Sequence, residues 1–286
     1  MSVRRFGTVM RRAFVLAYSK NCFSIAKGAA YSGLLALFPV LSAAAAILVQ
    51  VEAAPVQQLL AEFLAGILPP GTQDLVLARF AASGQKPVLL LIGAAALAVY
   101  AGSGLMLSLM EGFNAVNGTP SGRPFLRQRA MAALLMFATA LPAVAASALI
   151  LAGARTEAWA IRWLQGVPEG EPLTLGILFA GQIARFAIAL ATIVAVTSLL
   201  FSLGPAKARP LRAVWQGALV STVLWLLATA GFGWYVRNLA NYNVMYGSLA
   251  TVIALLVWMY VMAAIACVGC AFNAVLERRG RKGGPR

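Results

Sequence analysis

Six stretches of this chain are apolar over a length that can cross a bilayer, for which about 20 mainly apolar residues at 1.5 Å rise each are needed. They are residues 28–51, 87–110, 130–152, 173–203, 213–236 and 246–276. Apolar residues in them are continuous rather than alternating, so they read as helices that satisfy their own backbone, not as barrel strands. The fourth and sixth exceed the minimum, which implies tilt or extension beyond the hydrocarbon. Ahead of the first run, residues 3–20 show a different pattern. At 100° per residue Val3, Phe6, Val9, Met10, Ala13, Phe14 and Ala17 share one arc, with Arg4, Arg5, Arg11 and Arg12 opposite. That is the pattern of a helix lying in the membrane interface and anchoring the chain to the leaflet.

The expectation is an all-α polytopic membrane protein: an amphipathic arm over 1–27, a six-transmembrane-helix bundle over 28–276 and a basic tail over 277–286. Between the first two spans, residues 55–68 read as an amphipathic helix that Pro69-Pro70-Gly71 ends. Thr72 can cap a second helix toward residue 82, giving a helical hairpin on the outer face. The other connections are short. The basic start followed by an apolar run raises the question of a cleaved signal, but that run is longer than the roughly 7–15 residues of a signal core.

Composition agrees with this layout: 61% of the 286 residues are hydrophobic and 11% charged, with a mean hydropathy of +0.83. The net charge of +15 acquires meaning only once it is placed between the spans. Of the 23 Lys and Arg, 17 fall on the side of the two termini, and five on the other: Arg79, Lys86, Arg155, Arg162 and Arg237. Both termini are therefore expected in the cytoplasm, next to an anionic leaflet. The basic segments lack interleaved aromatic platforms, so nucleic acid is not an expected partner. Membrane lipids, anionic ones above all, are.

The chain has no His, which removes the Ser-His-Asp triad, His-ligated zinc and imidazole base catalysis. There is no phosphate-binding loop of the Walker type. Cys267 and Cys270 form a C-x-x-C inside an apolar helix, with Cys22 the only other thiol. Small buried side chains are the expectation there, not zinc or redox chemistry. No cofactor or metal is expected, and no enzyme.

Arg185 is the most expensive residue in the spans. Two readings stand beside each other: it faces a polar cavity and binds an anionic group with its fork of donors, or residues 184–203 alone span the bilayer and Arg185 snorkels to the outer interface. Pro39 should kink the first span and free a carbonyl. Neutral hydrogen-bonding groups that could line a pathway are Tyr31 and Ser32, Asn114, Tyr235, Asn241, Tyr246 and Ser248, with Asn273 near the end of the last span. In the second span Ala94, Ala98 and Gly102 form one stripe of small residues and Gly104, Ser108 and Gly112 another. Such stripes let helices approach closely, within one chain or in a homo-oligomer; a hinge at Gly102-Ser103-Gly104 is the alternative.

The order of features resembles the YihY/BrkB family of bacterial inner-membrane proteins, once labelled ribonuclease BN-like. The resemblance covers roughly residues 14 to 278 and is carried by Ala29-Ala30-Tyr31 and Leu37-Phe38-Pro39, then by Asn114 and Arg123-Pro124. It is densest at Trp215, Gly217, Trp225, Phe232, Trp234-Tyr235, Tyr246-Gly247-Ser248-Leu249, Trp258-Met259-Tyr260 and Gly269 to Asn273-Ala274. Where the family commonly has Gly-Ala-Glu before the Asn, this chain has Gly269-Cys270-Ala271-Phe272-Asn273. The resemblance implies six spans with both termini inside. It also brings labels of ribonuclease, virulence factor and transport of lipids or solutes. A ribonuclease of the His/Asp metal-cluster type is opposed by the absence of His. The expected function is transport or lipid translocation in the inner membrane, with an anionic lipid or organic anion as cargo, and the alternative is a non-transporting envelope scaffold.

Overall fold

The computed structural model describes residues 3–50, 88–119, 123–163, 172–239 and 248–282. Seven helices account for almost all of them: α1 Val3–Ser19, α2 Cys22–Gln50, α3 Val88–Asn117, α4 Phe125–Trp163, α5 Pro172–Leu203, α6 Leu211–Leu239 and α7 Ser248–Lys282. Six of these, α2 to α7, are long and apolar enough to cross a membrane. The protein is a polytopic helical membrane protein. The expected outer hairpin over 55–82 lies outside the described residues, as do Asn241 and Tyr246.

Each helix overruns its apolar run at one end or both. α4 continues through Arg155 and Arg162 to Trp163, well past residue 152. Backbone hydrogen bonding does not stop where side chains become polar, so a helix leaves the hydrocarbon intact until a breaker ends it. Two breakers are visible. Asn21, with φ of 55°, separates α1 from α2, a left-handed conformation that Asn tolerates better than most residues. Gly118, with φ of 66°, ends α3. Pro39 lies inside α2 and Pro142 inside α4; the latter was not singled out by sequence pattern.

The spans form a ring. α2 packs on α3, α3 on α4, α4 on α5, α5 on α6 and α6 on α7, and α7 closes the ring against α2 while also touching α3. The two small-residue stripes of α3 serve this packing. Gly102 faces Met136 of α4, where a Cβ would meet the sulfur at 2.7 Å, while Gly104 faces Ser32 of α2 and Gly112 faces Ile25 of α2 and Cys267 of α7. α3 runs unbroken through Gly102-Ser103-Gly104, with Ser103 buried and its hydroxyl donating to the Tyr100 carbonyl.

The buried core of the described residues lies at the end of the ring where the N-terminal arm docks. Val9, Ala13 and Ala17 of α1 are buried there, and Phe6 meets the ring of Phe272 on α7 at 5.8 Å. Part of the arm's apolar arc is thus spent on protein rather than on lipid. Phe14, Val15 and Tyr18 remain exposed, as an interfacial helix needs. The outward faces of the ring carry Leu35, Phe38, Leu97, Leu134, Leu141, Ile183, Phe186 and Leu227, all largely exposed. A soluble monomer rarely shows such a continuous apolar surface.

Candidate functional site

Two cavities and one polar layer between them organise the interior. The first cavity, about 380 Å³, lies inside the ring and takes lining residues from all six spans. Leu105 and Leu109 of α3, Val196 and Leu200 of α5 and Met259 and Met262 of α7 make its walls apolar. Its polar groups are nearly all consumed by their own helices. Thr139 donates to the Leu135 carbonyl at 2.8 Å, Thr192 to Ile188 at 2.8 Å and Thr197 to Ile193 at 2.7 Å. The indole N–H of Trp225 donates across to the Met262 carbonyl at 2.9 Å. Only the indole of Trp258 offers a donor with no protein acceptor among the described residues. A volume of this size suits a small-molecule site; its chemistry suits hydrocarbon, because an anion entering it would give up its hydration for a single N–H.

Beyond this cavity, toward the arm, a packed layer closes the bundle. Phe113 of α3 and Phe201 of α5 are fully buried and meet edge to face at 5.3 Å and 86°. The layer also holds the two asparagines singled out from the sequence. Asn273 is 1% exposed. Its Oδ1 accepts the Gly217 N–H at 2.7 Å and its Nδ2 donates to the Val214 carbonyl at 2.8 Å. Both halves of the amide are therefore spent on the α6 backbone. A Cβ at Gly217 would collide with the Gly269 carbonyl and with this amide, and one at Gly269 would collide with the Ser221 hydroxyl. Ser221 Oγ itself is buried with no hydrogen-bond partner.

Asn114 does the corresponding work at the α5–α6 connection. Its Oδ1 accepts the Ala206 N–H at 2.7 Å and the Thr119 hydroxyl at 3.2 Å. Arg123 grips the same connection, donating to the Pro205 carbonyl at 3.0 Å and the Ala206 carbonyl at 3.3 Å. These are structural ties, and neither asparagine lines the apolar cavity. The three cysteines are free and buried, as expected of small packing side chains.

The second cavity, about 510 Å³, lies on the far side of the packed layer, between the ends of α3 and α7 and the α5–α6 connection. Lys207, Arg209, Arg278 and Glu277 line it together with Asn117 and Thr119. Arg209 Nη1 lies 2.9 Å from Glu277 Oε2, and Arg278 donates to the Val116 carbonyl at 3.3 Å. Sequence reasoning had counted these cations only as topology determinants.

The remaining candidates are dispersed. Arg185 is half-buried on α5, among the exposed side chains of Ile183, Phe186 and Ile188, and lines neither cavity. Tyr31 is 61% exposed on the outer face of α2, so it does not reach the interior. Tyr235 is 40% exposed and stacks on Phe232. Ser248 opens α7, and its side chain lies outside the described residues. Arg129 was missed: it leaves its expected place beside the basic loop to cover the Tyr100 ring at 4.1 Å and donates to the Tyr100 carbonyl. An Arg a few residues before an apolar run gives no local sign of which way its long stem will turn.

A closed ring of six spans around an apolar cavity, with no metal-binding group of His, Cys, Asp or Glu among the described residues, defines a membrane-embedded helical bundle. The profile of the family described as Virulence factor BrkB matches residues 14–286. The chain belongs to that family. A UPF0761 membrane protein of Chromobacterium violaceum is 34% identical over 178 residues, 60% of this chain and 38% of the relative. A Bacillus subtilis protein whose name calls it ribonuclease-like, YfkH, is 33% identical over 95 residues, 33% of this chain and 34% of that one. A UPF0761 membrane protein of Alkalilimnicola ehrlichii is 39% identical over 67 residues, 23% of this chain and 15% of the relative. The matched segments thus span well under half the length of these relatives. No solved structure matches the chain.

Proposed function

We propose that this protein handles lipids in a bacterial inner membrane, admitting an acyl chain to the apolar cavity of the ring and moving lipid between leaflets. Both termini face the cytoplasm, where 17 of the 23 cationic residues gather. The chemistry of the cavity carries the proposal. Walls of Leu, Val and Met, with Thr hydroxyls and one indole already bonded, offer hydrocarbon a favourable surface and an organic anion almost nothing. Of the two cargoes expected from the sequence, the lipid is therefore preferred. Arg185 lines neither of these cavities and has no part in this reading. The protein acts as a carrier without catalysis, and the missing His speaks against His-metal hydrolysis of RNA.

The test is reconstitution into liposomes containing lipids with fluorescent headgroups, with an external quencher reading the fraction that has crossed. Protein-dependent crossing of lipid but not of entrapped organic anions is the expected result. Absence of crossing over a panel of phospholipids would leave a lipid-binding scaffold instead.

A further inference from the structure

The second cavity is absorbed neither by the fold nor by the apolar pathway. Three cations and one carboxylate converge on it from two elements, Lys207 and Arg209 from the α5–α6 connection and Glu277 and Arg278 from α7. Topology determinants need only lie near the leaflet, and they are commonly solvated and mobile. Here two of the cations are held. The carboxylate of Glu277 fixes Arg209 at 2.9 Å and the Val116 carbonyl fixes Arg278 at 3.3 Å. The connection that carries Lys207 is itself pinned, by Asn114 to the Ala206 N–H at 2.7 Å and by Arg123 to the Pro205 carbonyl at 3.0 Å. Cations positioned on opposite walls of one space, with an excess of positive charge after Glu277 is paired, suit a tetrahedral anion whose several oxygens can be met from different sides. The start of α6 beside Pro210 and the end of α3 at Asn117 both border the cavity, so their opposed helix dipoles offset and the side-chain cations set its sign.

We infer that this cavity is a phosphate-binding site, with Lys207, Arg209 and Arg278 as its ligands. It rests on the lipid reading only for the source of the phosphate, which is the headgroup of a phospholipid in the leaflet beside α1. The site lies on the same side of the packed Phe113–Phe201 layer as α1, and the apolar cavity lies beyond that layer. From Ala266 to Ala274 along α7 the two cavities are separated by about 12 Å at 1.5 Å per residue, a short step for a molecule with a charged head and a long tail.

The test uses the full chain in nanodiscs of phosphatidylcholine, titrated with short-chain phosphatidylglycerol, short-chain phosphatidylcholine and glycerol 3-phosphate, with binding read by native mass spectrometry. The wild-type protein should prefer phosphatidylglycerol to phosphatidylcholine. The double variant Lys207→Gln/Arg278→Gln should lose on the order of tenfold of that affinity, as removal of two lipid-proximal cations implies. Arg155→Gln/Arg162→Gln, toward the far end of α4, should leave it unchanged. Lys207→Arg should retain binding, and an unaltered melting temperature for each variant separates lost binding from lost fold. Glycerol 3-phosphate bound as tightly as the lipid, with the same sensitivity to the double variant, would keep the phosphate site and make its ligand soluble. Equal affinity of wild type and double variant for phosphatidylglycerol overturns the inference. That failure is distinct from failure of the lipid-carrier proposal, which is read by lipid crossing alone.

Discussion

Asn273 and Gly217 fasten the last helix of the ring to its neighbour: the buried amide oxygen of one takes the backbone N–H of the other at 2.7 Å. With the second bond to Val214, both ends of the amide are engaged. Replacing Asn273 with Leu removes two buried hydrogen bonds, although the Gly217 N–H and the Val214 carbonyl lie inside α6 and keep their helical partners. The expected loss is about 0.5–1.5 kcal/mol for each bond, seen as a lower melting temperature in detergent. Asn273→Asp should cost more than Leu at neutral pH, since it buries an unpaired carboxylate against the Val214 carbonyl, and should recover at low pH, where a protonated carboxyl can donate to that carbonyl.

The same seam predicts a contrast between glycines. A methyl at Gly217 meets the Gly269 backbone and the Asn273 amide, none of which can move cheaply. Gly217→Ala should lower stability by about 1–3 kcal/mol, and Gly269→Ala likewise. Gly231→Ala lies on the same helix with nothing within 4 Å of the added methyl, so it should be neutral or slightly stabilising. Equal melting temperatures for Gly217→Ala and Gly231→Ala would refute the seam.

Two polar ties of different burial should differ in strength. Asn114 is 6% exposed, and Asn114→Ala leaves the Ala206 N–H without its acceptor, an expected cost of about 1–3 kcal/mol. The Arg209–Glu277 pair has side chains 20% and 33% exposed, so solvent screens it and Glu277→Gln should cost no more than about 1 kcal/mol. Chemical denaturation of both variants in one detergent makes the comparison.

The apolar cavity makes an optical prediction. Trp225 and Trp258 line it, so lipids brominated along the acyl chain should quench tryptophan fluorescence more than lipids brominated near the headgroup. Ala263→Phe, which fills space at the wall, should reduce that quenching without unfolding the protein. Thr197→Val should not change it, because the Thr197 hydroxyl is spent on Ile193 at 2.7 Å. A marked effect of Thr197→Val on cargo movement would point to a polar pathway instead.

The helices were legible because a membrane crossing leaves a strong record: some twenty residues stripped of charge, with cations gathered at one set of ends. The α1 arc was legible for a similar reason, though not its docking, since Phe6 finds Phe272 266 positions away. What the chain does not display locally is which backbone a polar side chain will meet. Asn114 and Asn273 stood out as polar residues at the ends of apolar runs, and both read as candidate pathway groups. Their distant partners are main-chain atoms, of α6 for Asn273 and of the α5–α6 connection for Asn114, and main-chain atoms carry no letter in a sequence. The apolar cavity is harder still, because it is volume left unfilled by residues from six helices. Arg185 drew attention as a costly charge in an apolar run; it is half-buried on α5 and lines neither of the two cavities.

The threonines that turn their hydroxyls back onto their own helices have a consequence for the cell's energy. A greasy chamber with so few hooks for water tends to stay dry, and a dry chamber is an insulator. Protons need a file of hydrogen-bonded partners to hop across, and the Thr139, Thr192 and Thr197 hydroxyls already have theirs. A membrane crowded with this protein should hold its voltage.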